Sequence, residues 1–483
     1  MTSGLAEITP PATRSPRLML LGCCLALFIT SLDATIVNVA LPAIQADLHA
    51  SVTGLQWVVD AYTVVLASLM LLAGSTGDRI GRRTMFQAGL MVFAVGSAAC
   101  SVAPGLGTLI AFRMLQAAGG AMLQPNALST ITNVITDPAR RARAIGVWAG
   151  VFGGAAASGP ILGGILVAAI GWRAIFWVNL PVAAAAFALV ARYAPETKAP
   201  RPRRVDLLGQ VLLIVTLAAT TFATIEGPVR GWSSAPIAGG YVLAACALAA
   251  FLAVEHRRDE PLLELRFFRS PPFTGAATIA TLAFAILAGF LFLNTLYLQE
   301  VRGESALMAG VLTLPATVVI AVVSPLTGRL VASRGSRLPM TAAGFFLAGG
   351  ALVLSQDRPD SSYLFLAGGY VLLGLGFACV NPPITNTAVS GMPKTQAGVA
   401  SAIASSSRQL GNVLGVAVIG SVVSGAGIIG AGGTARLHRA AFTMASHTGW
   451  DIAVGCGLAI AVLAYLTTGA RARAAAAAVM TEP

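Results

Sequence analysis

Between Leu18 and Pro42 the chain is apolar for about the length that crosses a bilayer, with a single acid, Asp33, inside the run. Runs of this kind recur at about 17–41, 54–76, 84–103, 107–129, 142–168, 172–193, 206–226, 235–255, 272–298, 305–331, 338–355, 362–388, 398–425 and 449–468, fourteen in all. Backbone groups in lipid must be satisfied within their own segment, and the runs lack the alternation of barrel strands, so each is expected to be a helix. An ordinary soluble fold is excluded, because 56% of the 483 residues are hydrophobic and only 10% charged, against about 25% charged in soluble domains. The expectation is an all-α, multi-pass protein of the cytoplasmic membrane. The first run is longer than the apolar core of a secretion signal and holds an acid, so it is expected to remain in the mature chain.

The net charge of +12 does not call for nucleic acid. Twenty-three of the 31 basic residues lie in the amino terminus, the even-to-odd loops and the carboxyl terminus; six lie in the opposite loops, and Arg113 and Arg408 fall within runs. That bias places both termini in the cytoplasm. The six cysteines all sit in apolar runs as small packing residues, and the four histidines lie in or beside loops without metal-ligand spacing. No metal or cofactor is expected.

The loop GSTGDRIGRR at 74–83 aligns with GRLVASRGSR at 328–337, glycine on glycine and arginine on the final arginine. Each follows the second run of a six-run block, which points to a duplicated architecture. The expected order is a tail at 1–16, a six-helix bundle at 17–193, linkers with two inserted helices at 194–271, a second six-helix bundle at 272–468, and a tail at 469–483.

Four motifs in order carry a family resemblance. LDATIVNVALP covers Leu32 to Pro42; GSTGDRIGRR holds Gly74, Asp78, Arg79, Gly81, Arg82 and Arg83; RMLQAAGGA begins at Arg113; GVWAGVFGGAAASGPILGG holds Gly146, Gly159, Pro160, Gly163 and Gly164. Together they resemble the 14-helix drug:proton antiporters of the major facilitator superfamily, the EmrB/QacA type, over nearly the whole chain. The departures are Thr76 for a usual leucine, and Ala117 and Ala155 where glycine is common. The excess of arginine over lysine and the abundance of alanine resemble actinobacterial antibiotic exporters of that family.

The resemblance implies a major facilitator fold, working as a monomer, that exchanges protons for a small amphipathic compound. It makes Asp33, Arg113 and Asp60 the candidates for proton coupling. A helix running outward from residue 17 would place Asp33 about eight residues, roughly 12 Å, below its outer end, at a depth that Arg113 and Asp60 share. Asp78 is the candidate for a latch between the halves, and Pro160 with its neighbouring glycines for a pivot, where small residues allow close helix approach. Asn38, Gln116, Gln124, Asn126 and Asn294 could line a cavity or could simply pack helices. Arg408, in SSSRQLGNVLG, also resembles a family element; the length of its run allows a place near the cytoplasmic interface, and its role is open. A proton-coupled importer or facilitator is the alternative within transport, and a membrane sensor the alternative outside it. No soluble sensing domain, no clustered nucleophile and base, and no phosphate loop around either lysine speaks for a sensor or an enzyme.

Overall fold

A computed structural model describes residues 15–199, 206–258, 265–390, 397–425, 435–470, 472 and 474. The chain is helical throughout. In order come α1 (Pro16–Leu48), α2 (Val52–Ile80), α3 (Arg82–Ser101), α4 (Leu106–Val134), α5 (Pro138–Ala169), α6 (Ala174–Trp177) and α7 (Asn179–Tyr193). Next are α8 (Leu207–Arg230), α9 (Ala235–Arg257), α10 (Pro271–Leu296), α11 (Ala306–Leu312) and α12 (Leu314–Arg334). The last are α13 (Arg337–Leu354), α14 (Tyr363–Ser390), α15 (Ala397–Gly425) and α16 (Ala435–Thr467). The sixth run is α6 and α7 in series; the tenth is α11 and α12, broken at Thr313 just before Pro315. Among the described residues twelve helical segments are long and apolar enough to cross a membrane.

Burial separates inner from outer helices. Of each apolar window, 72% is buried in α1 and 67% in α2 and in α10, against 28% in α9. The apolar α9 is thus little covered by the rest of the chain. Helices α1 to α7 pack among themselves, as do α10 to α16. The tight turn at Gly81, with φ of +126°, recurs at Gly335, with φ of +80°, so the two aligned loops share a backbone device that glycine alone adopts easily.

The two sets of helices meet at the end of the molecule away from the Gly81 and Gly335 turns. Gln56 Nε2 on α2 donates to Val416 O and Ala417 O on α15 at 3.3 and 3.2 Å, and Ser424 Oγ returns a bond to Gln56 Oε1 at 3.1 Å. Gln299 Nε2, beyond α10, donates to Val39 O on α1 at 3.0 Å. Toward the other end the sets part: nothing lies within 4 Å of the place a Cβ would take at Gly146, Gly150 or Gly154 on α5.

Helices α8 and α9 pack on each other, and α8 lies against both α2 and α15, over the seam between the two sets. Trp57 Nε1 donates to Glu226 Oε1 at 3.0 Å near one end of α8, and Gln210 donates to Ser68 O near the other.

Candidate functional site

Helix α1 continues through Pro42 to Leu48, so Asp33 stands near its middle rather than about two turns from its outer end. Proline lacks a backbone donor but its carbonyl still accepts, and a helix of this length tolerates one such gap. Asp33 is completely buried. Arg113 Nη1 on α4 donates to its Oδ2, while Gln116 Nε2 and Asn179 Nδ2 donate to its Oδ1 at 2.9 and 3.1 Å. Gln116 lies one turn beyond Arg113 and accepts from Arg113 Nη1 at 2.8 Å. Ser97 Oγ on α3 accepts from Gln116 and Asn179 at 3.2 and 3.0 Å, and donates to Phe176 O at 2.8 Å. The guanidinium also donates through Nε to Val58 O at 3.3 Å and stands 4.1 Å from the centre of the Tyr62 ring.

This cluster draws on α1, α2, α3, α4, α6 and α7. It satisfies a buried carboxylate in the way such a group requires, with one cation and two neutral donors. Ser97 and Asn179 were not singled out in the sequence. Polar residues at helix interiors were the only signal for them, and neither lies in a motif.

Asp60 does not join the cluster. It is fully buried, and neither of its carboxyl oxygens has a hydrogen-bond partner among the described residues. Gln116 belongs to the Asp33 cluster and not to a cavity wall. Asn126 is likewise a packing residue: it is buried against Gly77 and donates to Ala73 O and Met122 O. Gln124 is half-buried on α4. Asn38 and Asn294 do share a cavity, lined also by Pro160 and Thr313, but its volume of about 10 Å³ holds no more than a water. A cavity of about 160 Å³ between α10, α15 and α16 is walled by apolar side chains and does not touch the Asp33 cluster.

In the loop motif, Asp78 accepts from Arg82 Nε at 2.9 Å, within its own turn and not across to the second set. What holds the loop is the strand of chain after α7. Glu196 accepts from Arg83 N, Thr84 N and Thr84 Oγ1 at 3.0, 3.1 and 2.6 Å, capping the start of α3. Thr197 O accepts from Arg82 N, and Ala199 N donates to Asp78 O. Arg83 Nη2 donates to Ala191 O at 2.6 Å, while Arg79 is exposed and Gly74 rests against Pro125. Glu196 is a further residue the motif reading passed over.

The α5 motif lies at the contact between the sets. A Cβ at Gly159 would sit 2.0 Å from Thr35 Oγ1 on α1, and one at Gly164 would sit 2.7 Å from Ala306 O on α11. Gly163 packs on Ile36 of α1, and Pro160 O faces Gly310. Gly146 stands in open space at the other end.

Two six-helix sets, meeting at one end and parted at the other, with a buried charge cluster in the core of the first, define a membrane transporter of the major facilitator class. The chain belongs to the Major Facilitator Superfamily, whose family profile matches residues 23–416. It is 40% identical over 412 residues to the multidrug resistance protein Stp of Mycobacterium tuberculosis, covering 85% of this chain and 76% of that protein. It is 37% identical over 425 residues to the tetracenomycin C resistance and export protein of Streptomyces glaucescens, covering 87% and 79%. In structure it resembles a bacterial homologue of the human lysosomal transporter Spinster in an inward-facing, unoccupied conformation, with a TM-score of 0.68 at 17% identity over 98% of this chain and 100% of that one.

Proposed function

We propose that this protein exports a small amphipathic compound from the cytoplasm in exchange for protons, by alternating access between two halves at 17–193 and 272–468. In this reading fourteen helices cross the membrane, the twelve apolar segments together with α5 and α15, and both termini are cytoplasmic. The charge bias of the loops supports that orientation. It makes the end closed by Gln56, Ala417 and Ser424 the outer one, so the structure corresponds to an inward-open state.

The observation that carries the proposal is the pairing of Asp33 with Arg113 in the closed core of the first half. Asp33 is the proton carrier in this reading, and its partners here are Arg113 and the amides of Gln116 and Asn179. Asp60, buried and without a hydrogen-bond partner among the described residues, stands apart from this pair as the second candidate carrier. Movement of α1 against α4 on the way to the outward-open state would part Asp33 from Arg113 and favour reloading.

The homologues named for multidrug resistance and tetracenomycin C export favour drugs or antibiotics as cargo. The test is transport of tetracenomycin C into inside-out vesicles energised by a pH gradient alone. Uptake that collapses with the gradient supports exchange; uptake that ignores the gradient, or flux only in the opposite direction, rejects it.

A further inference from the structure

Among the described residues, Arg408 is a charge within the second half that the coupling mechanism leaves unused. It lies on α15 beside Phe284, its guanidinium 5.9 Å from the ring centre, and Phe284 is midway along the 26-residue α10. Arg408 is therefore deep in the bundle rather than at the cytoplasmic interface.

The packing of α15 fixes which way this arc faces. One side of the helix is pressed on α10: Ser407 O accepts from Thr281 Oγ1 at 3.1 Å, and Gly411 and Gly415 are closed off by Thr281 and Ala285. Another side, through Val416, Ala417, Gly420 and Ser424, meets Gln56 on α2. Between these two sides, at helical spacings of three and four, fall Ser405, Arg408, Gln409 and Asn412, all polar and all part-exposed. That arc is the part-exposed side of α15 that neither α10 nor α2 covers, and in the exporter reading it faces the space between the halves.

The guanidinium has five N–H donors. In the structure it spends them on two hydroxyls, Ser405 Oγ at 3.0 Å and Thr385 Oγ1 at 3.4 Å. No acid among the described residues forms an ion pair with it. The second half has none to offer at that depth, since Glu300, Glu304, Asp357 and Asp360 lie at the closed end and Asp451 is exposed on α16. In the first half Asp33 is committed to Arg113. A membrane-embedded guanidinium left with neutral partners is completed by an anion that arrives from elsewhere.

We propose that Arg408 is the anchor for an anionic group on the transported compound, a carboxylate or an equally acidic oxyanion, with Gln409 and Asn412 beside it as neutral donors and acceptors. The proposal rests on the reading of the chain as an exporter and adds a substrate class to it: amphipathic acids, bound with the acid toward α15 and the apolar body across the inter-half space.

The experiment compares two fluorescent probes that differ at one group, dansylglycine, a carboxylate, and dansylglycinamide, its neutral amide. Each is titrated onto the full-length protein in nanodiscs of neutral lipid, which removes anionic headgroups as competitors. Wild type is expected to bind the carboxylate at least about tenfold more tightly, the ratio that 1.4 kcal/mol confers. Arg408→Gln should erase the preference by weakening the carboxylate alone, and Arg408→Lys, which keeps the charge but loses the fork, should retain part of it. Equal binding of the two probes by wild type, no binding of the carboxylate, or a preference that survives Arg408→Gln overturns the proposal. A parallel loss for both probes makes Arg408 a structural residue and overturns it as well. If Arg408→Gln does not fold, the wild-type ratio and Arg408→Lys decide. No proton gradient enters this measurement, so a failure of gradient-driven transport counts against the exporter reading and not against this one.

Discussion

Arg113 on α4 and Asp33 on α1 lie 80 residues apart in sequence and form an ion pair in which neither side chain is more than 1% exposed. For a pair so deep, desolvation offsets most of the attraction, so the pair adds little net stability; losing one member alone is what costs. Arg113→Ala is expected to destabilise the protein by about 3–5 kcal/mol, by stranding a buried anion. Adding Asp33→Asn to Arg113→Ala should recover most of that loss. Thermal unfolding of the two single variants and the double in one detergent checks it, and additive losses would refute it.

Asp33→Asn alone leaves Arg113 without its anion and should lower stability, but Arg113 keeps Gln116 Oε1 and Val58 O and the asparagine can still accept from Gln116 and Asn179, so the fold and substrate binding should survive. Gradient-driven transport in proteoliposomes should fall to background. Should the variant still concentrate substrate with only a pH gradient supplied, Asp33 is not the carrier, and Asp60 becomes the residue to substitute.

Gly164 lets the backbone of α11 approach α5 so closely that a Cβ would sit 2.7 Å from Ala306 O. Gly164→Val is therefore expected to hold the closed end apart, slowing transport about tenfold or more while leaving each half folded. Spin labels placed on either side of the α5–α11 contact should show longer distances than in the parent. Unchanged distances would remove the contact from the mechanism.

The Asp78 carboxylate is paired with Arg82 of its own loop in this state, so Asp78→Asn should leave binding near wild type and slow turnover. Glu196→Ala should act differently, because it uncaps α3: a loss of about 1 kcal/mol is expected, with faster amide exchange at Arg83 and Thr84. Protection of those two amides that matches the parent would count against the capping role.

At the closed end Asp357 sits buried in the loop after α13, its Oδ1 3.1 Å from His447 Nε2. Burial pushes its carboxyl up to about 6, and His447 moderates that rise. A carboxyl raised in the folded state favours folding while it is protonated and loses that contribution as pH climbs through about 6. The melting temperature of the parent should fall between about pH 4 and pH 7, and that of Asp357→Asn should stay more nearly level. Parallel profiles for the two would exclude Asp357 as the titrating group.

Much of this was legible in the sequence, for physical reasons that also mark where legibility ended. Helix-length apolar runs announce themselves one by one, and the paired turns show in the glycines at 81 and 335, because only a residue without a Cβ sits easily at positive φ. Asp33 and Arg113 were visible because a charge inside an apolar run has no bland explanation. Their neutral partners were not recognised as such, Gln116 being expected only as a cavity or packing residue. Ser97, Gln116 and Asn179 are ordinary polar residues on three different helices, and nothing local distinguishes a donor aimed at a carboxylate from one that packs a helix pair. For the same reason Asn126, taken with the cavity candidates, proved to fill the gap left by Gly77. Where α1 ends was hidden by Pro42, which reads as a stop but stands inside the helix.

The placement of α8 has a consequence for where a greasy molecule can enter. Two seams run between the halves, one along α2 and α15 and the other along α5 and α12. The first is roofed by α8, pinned to α2 at Glu226 and at Gln210; no described helix lies over the second. If the protein exports a compound drawn from the bilayer, as proposed, α8 would bar the first seam and leave the second as the side door, so that entry from lipid would be one-sided.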